Sequence, residues 1–205
     1  MGRSTEQEVF WETDFGDDYT DRNRVPESIA SNISLFSKVF GRTGPVESLL
    51  ELGSNIGLNL AAIRQLLPKS KLSAVEINQK AANELSANLP DVDLYRTSIL
   101  EFKANDQWDF VYSKGVLIHI NPDRLPDVYD LMYSASRKFI FLAEYYNPSP
   151  VELSYRGHDA KLFKRDFAGE LMDRHADLTL IDYGFVYRRD NLFPQDDLTW
   201  FLMEK

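Results

Sequence analysis

The chain has 205 residues, of which 43% are hydrophobic, and a formal net charge of −9 at pH 7. This length suits one domain with a sizeable core, and no apolar run approaches the roughly 20 residues needed to cross a bilayer. The sequence contains no cysteine, which excludes disulfides and thiolate metal sites, and its acidic balance disfavours a nucleic acid partner because phosphates are bound by basic faces.

Residues 1–25 mix aromatic and acidic side chains, and they lack the basic segment and apolar stretch of a secretory signal. We therefore expect a cytoplasmic protein that does not associate with a membrane. We interpret these residues as a lid over a binding site; the alternative is a peripheral arm that its aromatic side chains hold to the body. The candidate substrate contacts in the lid are Asp17, Tyr19, Arg22 and Asn23.

Residues 26–205 are predicted to form one α/β domain. Strand and helix patterns alternate along it, which predicts a mostly parallel seven-stranded sheet with helices on both faces, since parallel strands need crossover connections. Only residues 188–197 separate the last two strands, so these should form an antiparallel hairpin. The predicted strands are 46–52, 71–76, 92–96, 108–113, 138–144, 179–187 and 198–204. The predicted helices are one that begins at Pro26, then 58–67, 79–87, 122–135 and 162–174.

A glycine turn follows the first predicted strand, in the stretch Glu51-Leu52-Gly53-Ser54-Asn55-Ile56-Gly57. A glycine carries no Cβ, so the backbone can pass close under a ligand while the N–H groups of the next helix face the crevice. This arrangement favours a nucleotide-like cofactor. The second glycine of a dinucleotide fingerprint is replaced by Asn55, which disfavours a pyrophosphate.

The second strand ends in Glu76, which stands 23 residues after Gly53 and can bind both hydroxyls of a ribose. Together the two motifs resemble those of class I S-adenosylmethionine-dependent methyltransferases, which have a Rossmann-like fold with strand order 3-2-1-4-5-7-6. The resemblance implies S-adenosyl-L-methionine as cofactor, S-adenosyl-L-homocysteine as product, and a place for Glu51 near the methionine ammonium.

Two later strand ends complete the predicted cofactor site. Ser98 follows the third strand, where many class I methyltransferases have an acid that meets the adenine amino group; its hydroxyl can accept that hydrogen bond, and Ile99 can pack on the ring. The fourth strand runs into the loop after Ser113, over which a ligand of this fold would lie. The full set of cofactor candidates is Glu51, Gly53, Ser54, Asn55, Gly57, Glu76, Ile77, Ser98, Ile99, Ser113 and Gly115.

His119 is the first catalytic candidate, because it follows the fourth strand and an imidazole is well suited to act as a base near pH 7. The alternatives are a histidine that caps the helix starting near Pro122 and one packed in the apolar turn 117–120. His158 and Tyr145 are further catalytic candidates, and His175 is interpreted as structural.

Substrate contacts are predicted in two segments. Glu144, Tyr146 and Asn147 follow the fifth strand, and loops at that edge normally carry such contacts. Residues 156–165 contain four basic side chains and one acid, a net charge of +3 that could hold a small anionic substrate. The alternative for this segment is a solvated helix start. Its candidate substrate contacts are Arg156, Lys164 and Arg165.

A closer resemblance spans almost the whole chain. The segments F-W-x-x-x-F-G-D-D-Y-x-x-R-N, E-Y-Y-N-P, Y-R-G-H, L-F-K-R-D-F-A and F-P-Q-D-D are similar to those of the pseudaminic acid biosynthesis-associated methylases. This resemblance implies a methyltransferase acting on a sugar-type acceptor, such as a nonulosonic acid or its nucleotide-activated form, in bacterial surface-polysaccharide biosynthesis. The alternatives are a non-catalytic S-adenosylmethionine-binding module and methylation of a protein or tRNA. Whether the protein forms oligomers is left open.

Overall fold

A computed structural model describes residues 5–22 and 27–205. Its strands are β1 Ser48–Leu52, β2 Lys71–Glu76, β3 Asp93–Arg96, β4 Trp108–Lys114, β5 Ser136–Glu144, β6 Val151–Tyr155, β7 His158–Lys164, β8 Thr179–Val186 and β9 Leu198–Glu204. Its α-helices are α1 Glu6–Glu12, α2 Asp14–Arg22, α3 Glu27–Thr43, α4 Leu58–Leu66, α5 Gln79–Asn88, α6 Leu125–Ala135 and α7 Phe167–Arg174. Short 3₁₀ turns span Leu117–His119 and Pro122–Arg124. The helix start predicted at Pro26 lies outside the described residues.

Seven strands form one sheet in the order β3-β2-β1-β4-β5-β9-β8. The first five of these pair in parallel, while β9 runs antiparallel to both β5 and β8. The predicted fold class, the final hairpin and the strand order implied by the resemblance are therefore confirmed. From β1 the chain proceeds to β2 and β3 on one side, and then to β4 on the other, so the crevice of this open sheet lies at the carboxyl ends of β1 and β4.

Helices cover both faces of the sheet because its strands alternate their buried side chains between the faces. On one face Leu49 and Phe110 join a core with Phe36 of α3. On the other face Leu50 and Val111 join a core that includes residues of α6 and α7. All of these strand residues are fully buried, so the sheet is a rigid base for the loops at its carboxyl edge.

The prediction of a helix from residue 162 is wrong at its start. Residues up to Lys164 belong to β7, which pairs with β6 as a separate two-stranded hairpin, and α7 begins only at Phe167, where the Asp166 carboxylate accepts a hydrogen bond from Gly169 N at 2.8 Å. Arg156 and Gly157 have φ values of 51° and 86°, the two positive values that a type I′ hairpin turn requires. The basic segment is therefore part of a hairpin, and we call β6 and β7 with this turn the side hairpin.

Helices α1 and α2 form an arm that lies at the carboxyl edge of the sheet. Thr5 and Glu8 make a reciprocal capping box at the start of α1. None of the helices in the described parts of the chain has the length and apolar character of a membrane span.

Candidate functional site

A cavity of about 480 Å³ lies between the carboxyl edge of the sheet and the arm. Its walls come from the turns after β1, β2, β3 and β4, from the arm, from α3, and from the loop between β8 and β9. Of the predicted cofactor residues, those that line it are Gly53, Ser54, Asn55, Glu76, Ile77, Ser98, Ile99 and Gly115.

The glycine turn needs its glycines for two reasons. Gly53 and Gly57 have φ values of 77° and 83°, which other residues adopt only with strain. A Cβ on Gly53 would also lie 2.7 Å from a methyl carbon of Val116, and one on Gly57 would lie 3.0 Å from Leu85 Cγ. Gly57 itself does not line the cavity among the described residues; it lets the turn enter α4.

Glu76 joins this turn to the end of β2. Its carboxylate accepts hydrogen bonds from the backbone N–H groups of Asn55 and Asn78, each at 2.7 Å. The side chain is only 7% exposed but lines the cavity, and burial raises its pKa while these N–H groups lower it. These N–H groups and that of Ile77 occupy at most three of the roughly four lone-pair positions of the carboxylate, so Glu76 can still accept from a ligand.

Glu51 is fully buried and lies behind the cavity wall in the described structure. Burial raises its pKa to about 8, although a hydrogen bond from Asn59 Nδ2 at 2.6 Å opposes that shift. Asn59 itself lines the cavity. The structure therefore places Asn59, which the sequence reasoning missed, between Glu51 and the cavity.

Ser113 and Glu144 shape the loop after β4 from behind. The Ser113 hydroxyl donates to the Glu144 carboxylate at 3.0 Å, and the same carboxylate accepts from the backbone N–H groups of Val116 and Leu117, each at 3.2 Å. Burial raises the pKa of Glu144 to about 7. Both residues are buried supports of the wall and do not contribute to its surface in the described ranges.

His119 is 7% exposed and is held in one tautomer. Its Nδ1 lies 2.6 Å from the carbonyl oxygen of Lys161 in the side hairpin. A carbonyl oxygen can only accept, so Nδ1 carries the hydrogen and Nε2 carries the lone pair. Burial lowers the pKa of His119 to about 4, which leaves the imidazole neutral at pH 7. The rings of Trp11 and Tyr155 lie 4.6 and 4.9 Å from it, centroid to centroid.

A second cavity of about 100 Å³ adjoins the large one. The two share five wall residues, which we call the junction: Tyr19, Lys114, Gly115, His119 and Asp196. Tyr145 and Tyr155 complete the second cavity with Ile118 and Leu198.

Lys114 is the one cation on the wall of the second cavity among the described residues. Its pKa is lowered by burial, and nearby Glu51, Asp196 and Glu144 oppose that shift. Sequence reasoning missed this residue, although its position at the last residue of β4 was a usable signal.

The arm is fixed to the sheet edge through Asn78, the N-cap of α5. Asn78 Oδ1 accepts from Ala81 N at 2.9 Å, and its Nδ2 donates to Asp17 Oδ1 at 2.9 Å and to the carbonyl oxygen of Trp11 at 3.3 Å. A Cβ at Gly16 would lie 1.9 Å from that same carbonyl oxygen. Asp17 therefore holds the arm and does not line either cavity in the described structure.

The arm also packs on the side hairpin. Gln7 Nε2 donates to the carbonyl oxygen of Ala160 at 3.0 Å, and the ring of Phe10 lies 5.0 Å from that of His158, centroid to centroid. The predicted catalytic candidate His158 is thus part of an aromatic cluster between arm and hairpin. Arg22 lies over the ring of Phe15 at 5.6 Å, and Asn23 falls outside the described residues.

The remaining substrate candidates are not brought to either cavity in the described structure. Tyr146 is 42% exposed and Arg156 is exposed at the hairpin turn. Lys164 Nζ lies 5.0 Å from the ring centre of Tyr145, while Arg165 pairs with Glu170 at 2.7 Å. Asn147 donates its own N–H to the carbonyl oxygen of Arg165 at 3.4 Å.

The sheet order, the turn after β1 and the acid after β2 define an α/β protein with a cavity at the crevice of its sheet. No family model matches the sequence, and no curated protein sequence matches it either. Solved structures do match, and several of them are named as methyltransferases.

The chain is similar to Burkholderia thailandensis 1,6-didemethyltoxoflavin-N1-methyltransferase with bound 1,6-didemethyltoxoflavin and S-adenosylhomocysteine, at 16% identity and a TM-score of 0.73 over 100% of this chain and 92% of that one. It is also similar to the DhpI-SAH complex, at 17% identity and a TM-score of 0.64 over 96% and 94% of the two chains. A third similar structure is Streptomyces venezuelae DesVI, at 13% identity and a TM-score of 0.65 over 94% and 98%. The chain therefore has the Rossmann-like fold of S-adenosylmethionine-dependent methyltransferases.

Proposed function

We propose that the protein is an S-adenosylmethionine-dependent methyltransferase that acts on a small-molecule acceptor. The observation that carries this proposal is the pair of cavities that share five wall residues, with the carboxylate of Glu76 fixed on the glycine turn in the large one. Similar structures solved with S-adenosylhomocysteine (SAH) support the choice of cofactor.

The large cavity is assigned to the cofactor. Glu76 accepts hydrogen bonds from the ribose hydroxyls, Ile99 packs on the adenine, and Asn59 faces the methionine part with Glu51 behind it. When bound, the cofactor supplies a methyl group activated by a sulfonium. The protein then has to align the acceptor, exclude water and accept a proton.

The second cavity is assigned to the reacting part of the acceptor, because a methyl group passing between the two cavities must cross the junction. His119 is the base in this proposal. Its Nε2 lone pair is available at neutral pH, so it can accept a hydrogen bond from an acceptor O–H or N–H and receive the proton as the new bond forms. Its lowered pKa makes it a weaker base than the free imidazole assumed in the sequence prediction. Whether oxygen or nitrogen is methylated depends on which of these the acceptor presents.

The acceptor that suits this cavity is a small sugar-type molecule with a carboxylate or phosphate, as the resemblance to the pseudaminic acid biosynthesis-associated methylases implies. Lys114 supplies a cation at the cavity wall, and the tyrosines beside it offer flat faces and hydroxyls for a sugar. In this proposal the anionic group meets Lys114, and not Arg156, Lys164 or Arg165, which lie outside both cavities. A nonulosonic acid, free or nucleotide-activated, has this chemistry.

The experiment is to incubate the full-length protein with S-adenosylmethionine and a panel of acceptors, and to follow S-adenosylhomocysteine and methylated product by mass spectrometry. The panel holds free and nucleotide-activated nonulosonic acids, and neutral sugars as controls. Turnover that depends on an anionic sugar supports the full proposal. Tight binding of S-adenosylhomocysteine without turnover on any small acceptor contradicts it, and supports a non-catalytic module or a protein or tRNA acceptor.

A further inference from the structure

Three acidic side chains line the large cavity in the described part of the chain, and they occupy different positions. Glu76 lies at the glycine turn. Asp196 belongs to the junction with the second cavity. The third acid, Glu8, belongs to the arm and lies beside Ser98, at the end of the cavity that Ile99 also lines. A carboxylate from the arm is therefore present where the adenine lies in the proposed cofactor position.

The contacts of Glu8 leave it able to accept further hydrogen bonds. Its Oε2 accepts from Thr5 N at 2.7 Å, and its Oε1 accepts from the hydroxyl of Ser98. The Ser98 hydroxyl in turn accepts from Leu100 N at 3.0 Å, so its hydrogen is free to be donated to Glu8. A carboxylate has about four lone-pair positions, and two of them are used here.

We propose that Glu8 recognises the exocyclic amino group of the cofactor's adenine, so that the arm, and not the sheet edge, supplies the base specificity of this site. The inference rests on the proposed function for the identity of the cofactor. An amino group is a donor and a carboxylate is an acceptor only, so the two are complementary, whereas a base with a carbonyl oxygen at that position would face lone pairs. Ser98 is a positioning residue, because its hydroxyl orients the Glu8 carboxylate.

The test compares two ligands on three forms of the full-length protein. The ligands are S-adenosylhomocysteine and its hypoxanthine analogue, in which a carbonyl oxygen replaces the amino group; their dissociation constants are measured by isothermal titration calorimetry. The proteins are the wild type, Glu8→Gln and the control Glu12→Gln, which changes an exposed acid on the same helix. Glutamine can still complete a capping box, so Glu8→Gln keeps the start of α1.

We expect the wild type and Glu12→Gln to prefer the adenine compound. Glu8→Gln should bind S-adenosylhomocysteine roughly tenfold or more weakly, the size expected for one hydrogen bond to a charged group, and should lose its preference over the hypoxanthine analogue. An unchanged affinity would overturn the inference. So would an equal loss for both ligands, since that result means that Glu8 only holds the arm. Failure of the wild type to bind either ligand would instead contradict the proposed function.

Discussion

The two walls of the large cavity are held by different kinds of contact. On the sheet side, the backbone N–H groups of neighbouring turns donate to buried carboxylates, as at Glu76 and Glu144. On the arm side, the wall is held by side-chain hydrogen bonds and ring contacts with distant segments, as between Asn78 and Asp17. The hydrogen bonds of the sheet wall join residues 2 to 28 positions apart in the chain, whereas Asn78 and Asp17 are 61 positions apart, so the arm wall depends on more distant partners.

The largest effect is expected at His119, where sheet edge, arm and side hairpin meet. His119→Ala removes the proposed base and should lower kcat by roughly 10²–10⁴-fold, while affinity for S-adenosylhomocysteine stays nearly unchanged. Steady-state kinetics and calorimetry measure the two quantities. His175→Ala is the control, because His175, at the end of α7, stacks on Tyr133 of α6 and lines neither cavity in the described structure. A normal kcat in His119→Ala would remove His119 from the mechanism.

The next effect tests the sheet wall. Glu76→Ala leaves two backbone N–H groups without their acceptor and removes the proposed ribose contact, so affinity for S-adenosylhomocysteine should fall roughly 100-fold. Glu47→Ala, at an exposed acid just before β1, should bind like the wild type. Equal affinities of the two variants would contradict the ribose assignment.

A smaller effect isolates the arm. In Gly16→Ala the new methyl group cannot fit against the Trp11 carbonyl oxygen, so the arm must shift from Asn78. Hydrogen exchange followed by mass spectrometry should show faster exchange in α1 and α2 but unchanged protection of β1 and β2. Gly41→Ala is the matched control, because a Cβ there meets nothing within 4 Å. If the substitution speeds exchange in the sheet more than in the arm, Gly16 does not act on the arm alone and the contrast between the two walls is wrong.

The smallest effect concerns pH and the carboxyls behind the sheet wall. Folding raises the pKa of Glu51 from 4.5 to about 8, so the folded chain keeps a proton that the unfolded chain has lost between these values. The free energy of unfolding should therefore fall as the pH rises through this range.

Glu51→Gln removes that dependence and keeps an oxygen for the Asn59 amide. Its Tm should exceed that of the wild type by several degrees at pH 8, and the difference should shrink at pH 5. Thermal unfolding followed by circular dichroism at both pH values provides the measurement. Glu47→Gln, which changes an exposed acid, should track the wild type at both; an identical response of the two variants would show that Glu51 does not carry the effect.

The residues of the sheet wall could be predicted from the sequence more readily than contacts between distant segments. Gly53 and Glu76 were recognisable because their roles depend on a strand, a turn and a fixed spacing, all of which are local. The position of Lys114 at the end of β4 was a usable signal, but a lysine there is usually solvated, and the acids near it, Glu51, Asp196 and Glu144, come from distant parts of the chain. The turn at Arg156 and Gly157 was missed because it lacks the usual Asn-Gly or Asp-Gly pair.

Glu8 takes part in one contact that the sequence could have predicted and one that it could not. The spacing Thr5-x-x-Glu8 is a signature of a helix start and could have predicted the beginning of α1. Its contact with Ser98 joins residues 90 positions apart, and no local pattern indicates it.

Asn78 has a consequence for the chemical lifetime of the protein. Its amide is used asymmetrically, with the oxygen capping α5 and the nitrogen binding Asp17 of the arm. Deamidation to aspartate, without rearrangement to isoaspartate, would preserve the oxygen that caps the helix but would set a second carboxylate against Asp17. This change would therefore leave the sheet and α5 intact while it repels the arm, so that the molecule would remain folded and yet lose one wall of the large cavity.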